Sequence, residues 1–163
     1  MEAIFESLTF LGEEAALFIV AMLPLIELRG SVILGAALDM NWLTVFLISI
    51  AGNMLPIPFL LFFGRKILDW LKTVPFLSKL ATAYEDKLIR KADELRTAVL
   101  WGLFLFVAIP LPGTGAWTGA LIAALLDMRM KYSLPAIFAG VCLAGVIMCC
   151  ASYGMVSFLA FLL

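Results

Sequence analysis

Uncharged stretches divide this chain more sharply than any other pattern. They run over residues 15–26, 30–38, 40–64, 97–126 and 132–163. A helix crossing the hydrocarbon of a bilayer needs about 20 apolar residues, so 40–64 and 132–163 predict transmembrane helices. The stretches 15–26 and 30–38 are each too short to cross, and Glu27 and Arg29 separate them. The stretch 97–126 is long enough, but Pro110, Pro112, Gly113 and Gly115 interrupt its middle. In a helix interior Pro costs about 3 kcal/mol and Gly about 1 kcal/mol. The pattern therefore predicts two full spans and two broken segments, with breaks marked by Pro24, Gly30, Pro110 and Pro112. Each broken segment is either a kinked spanning helix or a re-entrant hairpin of two half-helices.

An internal repeat bears on that choice. Pro24-Leu25 corresponds to Pro110-Leu111, Leu38-Asp39-Met40 to Leu126-Asp127-Met128, and Ala51-Gly52 to Ala139-Gly140. Each unit reads as a broken segment, a short turn ending in Leu-Asp-Met, and a full span. Eight of the eleven Lys and Arg residues fall between Arg65 and Arg96, which predicts a cytoplasmic linker by the positive-inside rule. If the broken segments are re-entrant, each unit crosses once and the two repeats are inverted. Arg129 and Lys131 then lie on the cytoplasmic side, with Glu2, Glu6, Glu13, Glu14 and Asp39 opposite. If the segments span, Arg129 and Lys131 fall outside, against the rule.

The sequence-based expectation is an all-α integral membrane protein: an inverted repeat of two units, each a re-entrant helical hairpin plus a transmembrane helix. The first unit covers 12–64 (hairpin 12–38, span 41–63) and the second 97–163 (hairpin 97–126, span 132–161). A cytoplasmic amphipathic linker, 65–96, joins them, and both termini lie on the opposite side of the cell membrane. Gly64-Arg65 is expected to end the first span. In the linker, Ile67, Leu71 and Val74 and then Leu77, Leu80, Tyr84 and Leu88 form apolar stripes around Pro75. Lys79, Lys87 and Arg90 are available to lipid headgroups, and Asp86 and Arg90 are spaced to pair. The bland alternative is a helical hairpin packing beneath the bundle.

Composition agrees and removes several chemistries. The chain is 64% hydrophobic and 14% charged, more apolar surface than a soluble fold of this size can bury. With no His, a His proton relay, a His metal site and a Ser-His-Asp triad are excluded. Cys142, Cys149 and Cys150 all lie in the last apolar stretch and read as packing residues. No metal site, cofactor or nucleic-acid partner is expected. Glu2 and Glu6, with no basic residue beside them, do not suggest a cleaved signal peptide.

The candidate chemistry sits at the breaks. Ionisable groups at membrane depth are costly and usually mark a pathway or site, which singles out Glu27 and Arg29. In a helix, positions i and i+2 diverge; in an extended break they point the same way. An extended break is therefore expected to turn both residues into one polar cavity. The alternative is a neutralised pair that only locks the hairpin. The second break offers Gly113, Thr114, Gly115, Trp117 and Thr118: two glycines that admit close approach, two hydroxyls, an indole, and a half-helix N-terminus suited to an anion. Close helix packing by small residues is the competing explanation. Asn53, near Pro56 and Pro58, either lines the same cavity or bridges helices.

PLIELRGSVILGAAL (24–38), IAGNMLPIPFLLF (50–62) and IPLPGTGAWTGALIAALL (109–126) together resemble the small multi-drug export protein family. That family is similar to the wider DedA superfamily, for which paired re-entrant hairpins in inverted repeats are expected and lipid-phosphate transport is implicated. The resemblance implies a transporter with Glu27, Arg29, Gly113, Thr114 and Gly115 at its centre. The second hairpin here lacks the charges that DedA proteins carry in both halves.

The function expected is a secondary transporter or exporter of a small or amphiphilic anionic substrate, coupled to protons or another cation. Glu27 would serve the ion, and Arg29 with the hairpin N-termini the anion. The alternatives are a DedA-like lipid-phosphate flippase and a non-transport membrane scaffold. An intramembrane enzyme is disfavoured, although Ser31 lies near Glu27. Membrane lipids are expected partners, and the small core favours a homodimer.

Overall fold

The computed structural model describes residues 12–72, 92–111 and 113–162, all helix and connecting turns. The stripe from Leu77 to Leu88, the Asp86–Arg90 pair, Pro75, Pro112, Glu2 and Glu6 lie outside the described residues.

Helix α1 (Glu13–Met22) begins with two acids in its first turn, where they meet the positive end of the helix dipole. It stops one residue before Pro24 would clash with continuing helix: Leu23 is extended, at φ −73° and ψ 134°. Helix α2 (Glu27–Ala37) follows. Ser31 in α2 donates to Leu17 O in α1 at 3.0 Å, so the chain reverses about midway between them, at Pro24. The first break is thus a helical hairpin.

Helix α3 (Trp42–Met54) starts at Asn41, whose side chain accepts the Leu43 N–H at 2.9 Å. It breaks at Leu55-Pro56 and resumes as α4 (Ile57–Lys72). The apolar span ends at Gly64 as expected, although the helix itself continues through it, and the bare Cα of Gly64 lets Ala124 approach. Helix α5 (Ala92–Ala108) leads into the second break, then α6 (Ala116–Leu125) and the long α7 (Met130–Leu162). Gly119 of α6 lies against Val107 and Leu103 of α5, so this break too is a hairpin.

Two stretches are long and apolar enough to cross a membrane: Trp42–Gly64, 23 residues with mean hydropathy 2.1, and Met130–Gly154, 25 residues with mean hydropathy 2.3. Only a third of each is buried. Leu43, Leu47, Phe59, Phe62, Phe138 and Val146 point outward, a surface that suits lipid rather than water.

The same contacts recur in both halves. A side chain on Gly52 would collide with Phe18 O and Ala21 of α1, and one on Gly140 with Phe104 O and Val107 of α5. The Leu17–Ser31–Ser49 cluster has its counterpart in Leu103, Gly119 and Ile137. Both Leu-Asp-Met turns close α2 and α6 in one way. Asp39 and Asp127 are left-handed (φ 54° and 48°), and Met40 and Met128 N–H groups reach back to Gly35 O and Ala123 O at 3.1 and 2.9 Å. Across the halves, α2 packs on α7 and α6 packs on α4. The core is built of Leu17, Leu28, Val32, Val45, Ile57, Leu61, Val107, Ile137 and Val141.

Candidate functional site

The polar break does not form the extended strand that sequence spacing suggested. Pro24 places the extended residue at Leu23 instead, and Glu27 is left-handed at φ 53° with its N–H on Leu23 O at 2.9 Å. Arg29 is already in the first turn of α2. The two side chains reach the second hairpin by different routes.

Glu27 is 6% exposed. Its Oε1 accepts the backbone N–H of Trp117, in the first turn of α6, at 3.2 Å. The residue that opens α6 is Gly115, which has no side chain with which to cap the helix. Helix N-termini leave orphan N–H groups that Asp, Ser or Thr normally satisfy from the same chain segment. Here a carboxylate from the other hairpin does it. Gly115 is required for this approach: a Cβ there, at φ 151°, would overlap the Glu27 carboxylate.

Arg29 serves the opposite helix end. Its Nη1 donates to Leu111 O at 2.5 Å, and its Nη2 to Ile109 O at 3.3 Å and Thr114 Oγ1 at 2.8 Å. These carbonyls extend the negative end of α5. Thr114 Oγ1 lies 2.7 Å from Ile109 O and 2.9 Å from Leu111 O, and its single proton serves one of them at a time. Acid at a helix N-terminus and base at a C-terminus is the favourable arrangement for both dipoles.

Glu27, Arg29, Asn53 and Gly115 line one small cavity together with Leu28, Val107, Ala116, Val141 and Ala144. Asn53 is 2% exposed, and its Oδ1 has no hydrogen-bond partner among the described residues; the same is true of Trp117 Nε1.

Of the residues singled out by sequence, Glu27, Arg29, Asn53, Thr114, Gly115 and Trp117 come together here. Thr118 is half-buried on α6, and Gly113 is an exposed turn residue at φ 83°. Pro24 is exposed and Pro110 half-buried, both at the hairpin bends, while Gly30 sits against the Ile26 side chain. Ser31 is engaged with Leu17 O and, at 2.7 Å, with Ser49 Oγ. Ser49 and the receiving carbonyls of Ile109 and Leu111 carried no sequence signal, because a backbone acceptor has no residue identity.

Among the described residues the protein is all helix and turn, with two apolar stretches of spanning length, which together with the family match that follows support a helical membrane protein. Residues 27–147 match the family described as "Putative small multi-drug export protein". The chain belongs to that family, whose description points to transport rather than catalysis. No curated protein and no solved structure matches it.

Proposed function

We propose that this chain is a secondary transporter that exports an amphiphilic anion with a coupled proton or cation, and that its site lies where the two hairpins meet. The observation that carries the reading is the Glu27 carboxylate seated on the N-terminus of α6, where Gly115 leaves room for it. Helix N-termini bind anions, so the carboxylate and the anionic group of a substrate compete for the same donors. Arg29 holds the adjoining carbonyl end of α5 and stands ready for the same anion. Loading of Glu27 by the coupling ion releases its hold on Trp117 N–H, and the substrate takes its place. Coupling is then an exchange of two anions at one helix terminus. The room at this site, about 10 Å³ for the centre of a water-sized sphere, is roughly that of one water molecule. Substrate entry therefore requires the hairpins to part.

In the same reading both hairpins are re-entrant and the repeats inverted, with the linker cytoplasmic and both termini opposite. Supporting this, α1, α2 and α6 are 10, 11 and 10 residues long, about 15–17 Å at 1.5 Å per residue, roughly half the hydrocarbon thickness. The contacts shared by the two halves support it further. Half-helices aimed at the midplane are the architecture that alternating access uses. A lipid phosphate is the variant substrate implied by the DedA resemblance, since the same donors suit a phosphate.

The test is export of a fluorescent carboxylate such as carboxyfluorescein into everted vesicles, with lipid-phosphate flipping assayed in parallel. Glu27→Gln should abolish transport while the protein still inserts and purifies. A transport rate that survives Glu27→Gln would leave the scaffold reading in its place.

A further inference from the structure

Asn53 holds a buried acceptor that no described residue satisfies. It is 2% exposed, lines the cavity beside Glu27, and its Oδ1 has no hydrogen-bond partner among the described residues. Buried polar atoms are almost always paired, so this oxygen calls for a donor or a cation. The Glu27 carboxylate belongs to the lining of the same cavity, so an acid and an unpaired amide oxygen come from neighbouring helices to one small space.

Comparison of the two halves removes the simplest alternative. In the correspondence that pairs Gly52 with Gly140, Asn53 pairs with Val141 and Glu27 with Gly115. All four line the same cavity. Valine therefore fills the packing role at the equivalent position, and packing alone does not require an amide. The polar groups of the cavity come from the first unit, and the second unit supplies the room.

We propose that Glu27 and Asn53 form a binding site for a dehydrated monovalent cation of the size of Na+, the coupling ion of the transport reading on which this inference rests. Hard cations of this kind take carboxylate, amide and carbonyl oxygens, as in transporters whose broken helices expose such groups. Arg29 does not oppose it, because its guanidinium is held by Ile109 O, Leu111 O and Thr114 Oγ1 at the end of α5. The cation draws the Glu27 carboxylate from Trp117 N–H toward Asn53 Oδ1. That movement leaves the N-terminus of α6 to the substrate anion. Cation and anion then bind together with no net charge added to the cavity.

The experiment is thermal unfolding of the purified full chain in detergent at fixed pH and ionic strength, in NaCl, KCl or choline chloride. A site ligand stabilises the folded state in proportion to its occupancy. Na+ should raise Tm saturably and choline should not. Asn53→Val, which copies the second unit, should weaken the apparent Na+ affinity by about tenfold or more, the loss of one charge-assisted contact. Asn53→Asp, which keeps an oxygen there, should retain the response. If Asn53→Val does not fold, equilibrium binding of radioactive sodium to the wild type, Asn53→Asp and Glu27→Gln decides, with binding lost only in the last. Equal Tm in Na+ and choline, or unchanged Na+ affinity in Asn53→Val, overturns the site. A Tm that follows pH alone also overturns it and makes the ion a proton. In that case export still depends on Glu27 and only the ion assignment falls, whereas export indifferent to Glu27 sinks the transport reading itself.

Discussion

Glu27 caps a helix that begins 89 residues further along the chain: its Oε1 accepts the Trp117 N–H at 3.2 Å, beside a glycine where any side chain would occupy the same space. The two hairpins are therefore fastened through a side chain of one and the backbone of the other. Gly115→Ala tests this fastening directly. The added methyl meets the carboxylate, and the backbone at φ 151° resists any side chain. We expect a loss of about 1–3 kcal/mol, read as a lower Tm in detergent, and a much smaller loss when Glu27→Ala is already present. Additive losses in that double-mutant cycle would show that the two residues do not meet.

Arg29 makes the matching contact at the other helix end, and the fork of its guanidinium matters as much as its charge. It reaches Leu111 O, Ile109 O and Thr114 Oγ1 at once. Lys has one ammonium head in place of the fork. Arg29→Lys should therefore lose much of the stability that Arg29→Met loses, on the order of 1–3 kcal/mol for the latter. Thr114→Val should cost less than either, since Arg29 keeps both carbonyls. Equal stability of Arg29→Lys and wild type would make the interaction one of charge alone.

Much of this arrangement is legible in the chain, because its largest signals are local. Runs of about 20 uncharged residues mark the two spans, and Pro24 and Pro110 mark the bends by removing helix geometry from the residue before them. Leu-Asp-Met recurs because one left-handed turn closes both α2 and α6. What spacing misjudged was the backbone between Glu27 and Arg29, which line one cavity without an extended break. Two residues apart, they share a direction only in an extended chain, and the structure instead combines a left-handed Glu27 with a helical Arg29. Nor does any pattern say that Glu27 meets the backbone N–H of Trp117, since that pairing arises from packing of hairpins distant in sequence. Gly64 marks the end of the first apolar span, as its place before Arg65 suggests, and its small size also serves the approach of Ala124, which no local pattern announces.

The recurring glycine contacts predict a matched pair of defects. Gly52 and Gly140 each sit against a backbone carbonyl, of Phe18 and Phe104, too close for a Cβ. Gly52→Ala and Gly140→Ala should lower Tm by similar amounts, since each pushes a half-helix from its span. Gly102 on α5 is the control, because a methyl added there meets no described atom within 4 Å. Gly102→Ala should be neutral or stabilising by up to about 1 kcal/mol, from helix propensity. A destabilised Gly102→Ala, or a silent Gly140→Ala, would contradict the packing described.

Sidedness separates re-entrant hairpins from kinked spans at two independent positions. Single cysteines at Glu14, Lys79 and Lys131, in a background without Cys142, Cys149 and Cys150, are labelled in intact cells with a membrane-impermeant maleimide. Glu14 and Lys131 are exposed, so accessibility is decided by the membrane and not by the fold. Re-entrant hairpins put Glu14 outside and keep Lys79 and Lys131 inside. Spanning segments give the reverse at both reporters: Glu14 joins Lys79 on the inside and Lys131 moves out. The positive-inside rule favours the first outcome, because Arg129 and Lys131 then share a side with the basic linker. The short half-helices favour it too, since 10 or 11 residues cannot reach across the hydrocarbon. Labelling of Glu14 together with protection of Lys131 is the expected pattern. If both positions are labelled, the first segment is re-entrant and the second spans, and the repeats run parallel. The cap that Glu27 places on α6 would then join two units of the same orientation, and the exchange at that helix terminus would have no symmetric partner state to alternate with.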